Sequence, residues 1–158
     1  MTAQTSLYFG DMIGGSTGTH HDLWDTNNNK PLTDLDLWYS EVTLQGKIYT
    51  ILRGITVRWG TGPNDQKSAG HVTTYEAEPR TLRSSYNFAT GEYIDWMDVY
   101  GANNGRADSL RFKASHFFAA GGSGGDKGVQ LKDGKRRVLV GFRVRAGSDI
   151  DALGGVFV

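Results

Sequence analysis

Two short loops carry the Gly-x-Ser-x-Gly pattern, which in many hydrolases places a nucleophilic serine on a sharp turn. The loops are Gly14 to Gly18, centred on Ser16, and Gly121 to Gly125, centred on Ser123. In hydrolases this turn joins a strand to a helix, whereas neither loop here is followed by a helical pattern of apolar residues. No spacing in the sequence orients one of the four histidines as a general base. A serine hydrolase is therefore kept as an alternative function.

A second candidate site is an acidic stretch that imitates the start of a calcium-binding loop. It begins at Asp25 and reads DTNNNK. The pattern fails where its specificity lies, since Lys30 replaces the required glycine, Pro31 interrupts the loop and the twelfth position is Asp36, not glutamate. We therefore predict a turn here. The chain has no cysteine, and we expect neither a metal nor another cofactor.

The segment Gly147 to Asp151, GSDID, has the chemistry to hold a sugar. Asp149 and Asp151 lie in one short segment, so they cannot flank a scissile bond from opposite sides. A carboxylate such as that of Asp151 can instead accept hydrogen bonds from two adjacent hydroxyls, while the backbone N–H groups of Ser148 and Asp149 donate. A glycine-rich loop from elsewhere would let the sugar approach closely. The simpler alternative is a tight turn at Gly147 that Asp151 caps.

The composition limits which elements could position these residues. The chain has 158 residues, enough for one domain with a real core, and 38% of them are hydrophobic. Lys and Arg together number 17, as do Asp and Glu, so the charge that nucleic-acid binding requires is missing. The first residues lack the basic and apolar regions of a signal peptide, and no apolar run reaches the length of a membrane span. We expect a protein that is cytoplasmic or secreted by a non-classical route, without nucleic-acid partners or membrane insertion.

Hydrophobic periodicity predicts an all-β fold. Apolar residues alternate along short runs, including Val138 to Val144 and Leu32 to Ser40, and the runs are separated by Gly, Asn and Asp turns. Glycine occurs 22 times, about twice the usual share. Segments that begin at Gly46, Gly91 and Gly147 align weakly as a threefold repeat. This pattern predicts three four-stranded units around one core, over residues 1–158.

The sequence resembles the jacalin-related lectins, whose fold is the β-prism I. The residues that carry the resemblance are the opening FGDMIGGSTG from Phe9, SLRF from Ser109 and GFRVRAGSDIDALG from Gly141. The last stretch departs from the family where Val144-Arg-Ala146 replaces its Gly-Arg-Ser. The resemblance implies three Greek-key four-stranded sheets with pseudo-threefold symmetry. It also implies that sugar binds between the glycine loop of one sheet and the Gly-x-x-x-Asp loop of a neighbour.

The resemblance implies two sets of sugar-binding residues. The main site would comprise Gly14, Gly15, Gly18, Ser148, Asp149 and Asp151. By the same cyclic pairing, a second site would comprise Gly121, Gly122, Gly124, Gly125, Glu92, Tyr93 and Asp95. A third combination, glycines 60–70 with the Gly46 to Thr50 segment, has Thr50 in place of the aspartate and should not bind.

The implied function is a lectin without catalysis. Because the glycine loop lies inside a continuous chain, and galactose-binding members have a freed N-terminal glycine there, the resemblance implies mannose- or glucose-containing glycans and glycoproteins as partners. Exposed strands could also support a homo-oligomer. Besides the hydrolase, the remaining alternative is an interaction or targeting module whose sugar sites are vestigial.

Overall fold

The computed structural model describes residues 6–74, 77–102 and 105–158, and in these ranges every regular element is a β-strand. The alternation of apolar and polar residues at period two produces these strands, and Gly and Asn residues with positive φ turn the chain between several of them. The strands are β1 (Tyr8–Phe9), β2 (Ile13–Gly14), β3 (Thr19–Leu23), β4 (Asp34–Leu44), β5 (Lys47–Arg58), β6 (Gln66–Gly70), β7 (Leu82–Asn87), β8 (Trp96–Gly101), β9 (Ala107–Lys113), β10 (Phe117–Gly121), β11 (Asp126–Val129), β12 (Leu139–Ala146) and β13 (Ile150–Phe157).

These strands form three antiparallel sheets with one topology, which confirms the predicted all-β prism. Sheet 2 has the order β6-β5-β4-β7 and sheet 3 the order β10-β9-β8-β11. In sheet 1 the order is β1-β13-β12-β3. Strands β1 and β2 both pair with β13 and together form one edge of this sheet. In each sheet a central hairpin is flanked by two outer strands. The outer strands of sheet 1 come from the start of the chain and its hairpin from the end.

The three sheets pack their inner faces on one hydrophobic core. All three sheets contribute to its largest fully buried side chains. These include Phe142 and Phe157 from sheet 1, Leu35, Leu37 and Ile55 from sheet 2, and Phe112 from sheet 3. Burial of each such side chain contributes roughly 1.5–3 kcal/mol. The core fixes the hairpins relative to one another and therefore fixes the loops that they carry.

The central hairpin of sheet 2 is longer than its counterparts. Strands β4 and β5 have 11 and 12 residues, compared with 6 and 7 for β8 and β9, and 8 each for β12 and β13. The segment Leu32 to Ser40 enters β4, as the alternation predicts. No helix within the described ranges is long and apolar enough to cross a membrane.

Candidate functional site

The glycine loop after β2 lies directly against Asp151. Gly14 pairs with Ala152 of β13, and the N–H of Gly15 donates to the Asp151 carbonyl at 2.8 Å. The φ of Gly14 is 130°, and a Cβ atom there would collide with that carbonyl. Only glycine allows this approach of two backbones. The sequence-predicted partners Gly14, Gly15 and Asp151 therefore lie together.

The same loop returns to the Asp151 side chain at Gly18. Gly18 has a φ of 83°, and a Cβ on it would meet the Oδ2 atom of Asp151. The guanidinium of Arg145 donates to the carbonyls of Ser16 and Gly18 at 3.3 Å and so braces the loop. The result is a carboxylate beside glycines that carry no side chain. We call the Gly14 to Gly18 loop with Asp151 the Asp151 site.

Ser148 and Asp149 occupy the β12–β13 turn next to this site, but the Asp149 side chain faces inward. Its carboxylate forms ion pairs with Arg53 of β5 and with Arg106, the latter at 2.7 Å. Only 11% of the Asp149 side chain is exposed. These arginines belong to sheet 2 and to the β8–β9 turn, so the carboxylate links all three sheets. Its oxygens face arginines of the protein, so the turn can offer a ligand the backbone N–H groups of Ser148 and Asp149, since that of Gly147 donates to the Asp149 carbonyl.

The second glycine loop repeats this geometry with Asp108. Gly121 pairs with Ser109 of β9 and has a φ of 98°. A Cβ atom added to Gly121 would collide with the Asp108 carbonyl. The N–H of Gly122 donates to that carbonyl at 3.1 Å. A Cβ on Gly125 would lie 2.8 Å from the Asp108 Oδ2 atom. Each contact matches one at the Asp151 site, and we call this loop with Asp108 the Asp108 site.

The carboxylates of Asp108 and Asp151 are available to a ligand. Among the residues that the structure describes, neither has a side-chain hydrogen bond or an ion pair, in contrast to Asp149. Burial raises the pKa of Asp108 above its ordinary value, because a partly desolvated carboxylate without donors is less stable when charged. Hydroxyl groups of a ligand could supply the missing donors.

The residues predicted to complete the second site lie elsewhere. Glu92, Tyr93 and Asp95 precede Trp96, the first residue of β8, whereas the Gly121 to Gly125 loop lies beside Gly101, the last. Five residues of strand separate these ends by about 17 Å. The pairing with Asp95 is therefore corrected to a pairing with Asp108.

The three residues have other contacts at that end of sheet 3. Glu92 accepts hydrogen bonds from the Tyr86 hydroxyl and from the N–H groups of Ala89 and Ser115. Tyr93 lies under the Arg136 guanidinium, whose Nε is also 3.6 Å from Asp95. Glu92 thus holds loops together, while Tyr93 and Asp95 are on the surface.

The third equivalent position is Arg53. Gly70 pairs with Gly54, and a Cβ on Gly70 would meet the Arg53 carbonyl, just as Gly14 and Gly121 meet those of Asp151 and Asp108. The sequence placed Thr50 there, so the register of that prediction is corrected by three residues. An arginine engaged with Asp149 offers no free acceptor, and this position lacks the carboxylate of the other two.

The structure also corrects which sheets meet at each site. A glycine loop and its aspartate belong to the same sheet, not to neighbouring ones. The neighbouring sheet contributes the adjacent hairpin: Gly15 contacts Gly105 in the β8–β9 turn, and Gly122 contacts Thr50 of β5. Gly70 in turn contacts Ile150, which closes the cycle around the prism axis.

The hydrolase alternative gains no support from these loops. Ser16 and Ser123 lie between strands, and no histidine in the described ranges donates to or accepts from either hydroxyl. His20 instead contacts Asp22 at 2.7 Å, and His71 contacts Glu78. Asp25 accepts from the N–H groups of Asn27 and Asn28, which is the turn that the sequence predicts.

Asp108 is the candidate site residue that the sequence reasoning missed. It follows Gly105 by three positions, whereas Asp151 follows Gly147 by four, so the two do not align as one motif. The available signal was the Gly and Asn-rich sequence before β9, because Asp108 lies near the start of the second strand of its hairpin, as Asp151 does.

Comparison with protein families gives a match to the Jacalin-like lectin domain over residues 11–156. A comparison with curated protein sequences gives no match.

Several solved structures share the fold. Lamprey immune protein is 22% identical with a TM-score of 0.68; the match covers 100% of this chain and 45% of that one. This chain thus spans less than half of its length. Wild-type Malaysian banana lectin is 18% identical with a TM-score of 0.66, covering 97% and 99% of the two chains. AcmJRL, described as a mannose-binding jacalin-related lectin from Ananas comosus, is 17% identical with a TM-score of 0.60, covering 96% and 97%.

Proposed function

The chain belongs to the Jacalin-like lectin domain family, and on that premise we propose that it is a lectin for neutral mannose- or glucose-type glycans, without catalysis. We propose two binding sites per chain, the Asp151 site and the Asp108 site. The observation that carries the proposal is the repeated geometry in which a carboxylate faces a glycine loop and has no side-chain hydrogen bond or ion pair within the described residues.

The chemistry of the two sites suits a hydroxyl-rich ligand. A carboxylate can accept from two adjacent hydroxyls, and charge-assisted hydrogen bonds of this kind contribute about 1.5–3 kcal/mol each. The glycines leave room for the sugar ring beside the backbone. At the Asp151 site the turn at Ser148 and Asp149 adds backbone donors.

Mannose or glucose is favoured over galactose for two reasons. The glycine loop lies within the chain, which the family resemblance associates with mannose and glucose. Structural relatives described as mannose-binding include the Ananas comosus lectin and a lectin from Champedak.

Titration calorimetry with methyl α-mannoside tests the proposal. We expect two weak sites per chain, with dissociation constants between micromolar and millimolar. Asp151→Asn and Asp108→Asn should each remove one site, since the amide loses the negative charge but keeps the size of the side chain. Asp95→Asn is the matched control and should leave both sites intact. Retention of both sites in the Asp151→Asn/Asp108→Asn double variant would contradict the assignment.

Two weak sites per chain would make the protein depend on multivalency. Linked sites can gain roughly 10²–10⁴ in avidity, so we expect agglutination or precipitation of glycoproteins that free mannose inhibits. A homo-oligomer would add further sites. Binding to dense glycan surfaces no tighter than to the monosaccharide would contradict this part of the proposal.

A further inference from the structure

We propose, building on the proposed function, that one neutral oligosaccharide occupies the Asp151 and Asp108 sites at the same time. Its outer sugars would contact the two carboxylates, and its connecting part would lie in a cleft between them. Tyr49, from the long β4–β5 hairpin, would cover that connecting part.

The two sites open into a single cleft of 740 Å³. Thr17 and Asp151 from the Asp151 site line it together with Asp108, Gly124 and Gly125 from the Asp108 site. We call this space the shared cleft. Its volume lies in the upper part of the range of about 300–1,000 Å³ that holds small-molecule ligands, and a single monosaccharide would leave much of it empty. Two sites that open into one space can be reached by one molecule.

The long hairpin of sheet 2 also lines the shared cleft. Its extra length brings Gln45 and Tyr49 to the shared cleft, and Tyr49 is 43% exposed. An exposed tyrosine offers an apolar ring face and a hydroxyl to a sugar ring. Side chains alternate along a strand, and Ile48 accordingly lines a different groove, on the opposite face of the hairpin.

The charges in the shared cleft select a neutral ligand. Arg106 lines the cleft and pairs with Asp149, whose single negative charge is shared with Arg53. The three carboxylates of Asp108, Asp149 and Asp151 still exceed the two guanidiniums by one negative charge. Asp108 and Asp151 carry no compensating cation among the described residues. A sialylated or sulfated glycan would bring a further negative charge into this space and should be repelled.

The experiment compares methyl α-mannoside with a branched trimannoside on the full chain by titration calorimetry. We expect two monosaccharides per chain but one trimannoside, with the trimannoside bound at least about 10²-fold more tightly. Asp151→Asn or Asp108→Asn should each reduce trimannoside affinity to the level of the monosaccharide. Tyr49→Ala should weaken the trimannoside several-fold more than methyl α-mannoside, whereas the control Ile48→Ala should change neither.

The outcomes separate the two proposals. Two trimannosides per chain, each with the affinity of the monosaccharide, would show independent sites and overturn the inference while leaving the proposed function in place. Equal binding of the trimannoside and its sialylated counterpart would overturn the charge argument on which the inference rests. Binding of neither mannoside would overturn the proposed function, and the inference with it.

Discussion

Replacing Asp149 by alanine should destabilise the fold more than it weakens sugar binding. The Asp149 carboxylate pairs with Arg53 and Arg106, and its removal leaves two partly buried guanidinium groups without a counter-charge. Breaking an ion pair by deleting one partner is costly, because the remaining charge stays desolvated. The backbone N–H of residue 149, which we expect to face the ligand, is kept in the variant.

The magnitude follows from the exposure of the three side chains. A hydrogen bond to a charged group contributes about 1.5–3 kcal/mol. Asp149 is 11% exposed, but Arg53 and Arg106 are 23% and 35% exposed, so water replaces part of each interaction and the lower value applies. Arg106 donates a hydrogen bond to Asp149, and Arg53 forms an ion pair with it; about 1.5 kcal/mol for each of these interactions gives about 3 kcal/mol. In a chain of this length, 1 kcal/mol shifts the Tm by about 2–4 °C, which predicts a decrease of roughly 6–12 °C.

The measurement is thermal unfolding without sugar, followed by titration with methyl α-mannoside at a temperature where the variant is folded. Asp95→Ala is the control, because its ion pair with Arg136 is exposed and 3.6 Å long; such pairs contribute little. Replacing Asp149, Arg53 and Arg106 together by apolar residues should recover much of the lost stability. A Tm equal to that of the Asp95→Ala control, with at least a tenfold loss of sugar affinity, would refute the reasoning and make the Asp149 carboxylate a direct sugar ligand.

Three further predictions concern single residues. Burial raises the pKa of Asp108, so stability should increase as pH falls through that raised value, while binding at the Asp108 site is lost over the same range. Consistent with this, Asp108→Asn should keep or raise the Tm at pH 7 while removing one site; a clear Tm decrease would contradict the desolvation argument. Gly125→Ala should weaken the Asp108 site and cost roughly 1–3 kcal/mol in the free energy of unfolding, because alanine is strained at a φ of 81°; unchanged denaturant unfolding would speak against it. Burial alone would raise the pKa of Glu92, but hydrogen bonds from Tyr86, Ala89 and Ser115 outweigh burial and lower that pKa. The Glu92 carboxylate therefore stabilises the fold at any pH above its ordinary pKa, and this stabilisation is lost as the pH falls through the lowered pKa. Glu92→Gln should reduce stability at pH 7 and flatten this acid dependence without affecting either sugar site, as acid titrations of unfolding would show.

The sequence by itself determined the fold class and indicated one candidate site. Alternating apolar residues required strands, and the motif at Gly147 to Asp151 is local, so its resemblance to the jacalin-related lectins could be read without coordinates. The pairing of the Gly14 loop with Asp151 also followed from that resemblance. Sheet 1 pairs strands from the first residues of the chain with strands from the last. No local pattern predicts that pairing, so it could be inferred only from the family resemblance.

Tertiary structure alone decided the contacts of Asp149 and which aspartate lies against the second glycine loop. Asp149 meets Arg53 and Arg106 across three sheets, and no spacing along the chain encodes that contact. Asp108 replaced Asp95 because equivalence is set by strand register, which pairs Gly121 with Ser109. The turns before the equivalent positions differ in length, so register and sequence spacing diverge. The core holds the three hairpins in one register even though their turns differ, which is why sites that look unrelated in sequence are alike in space.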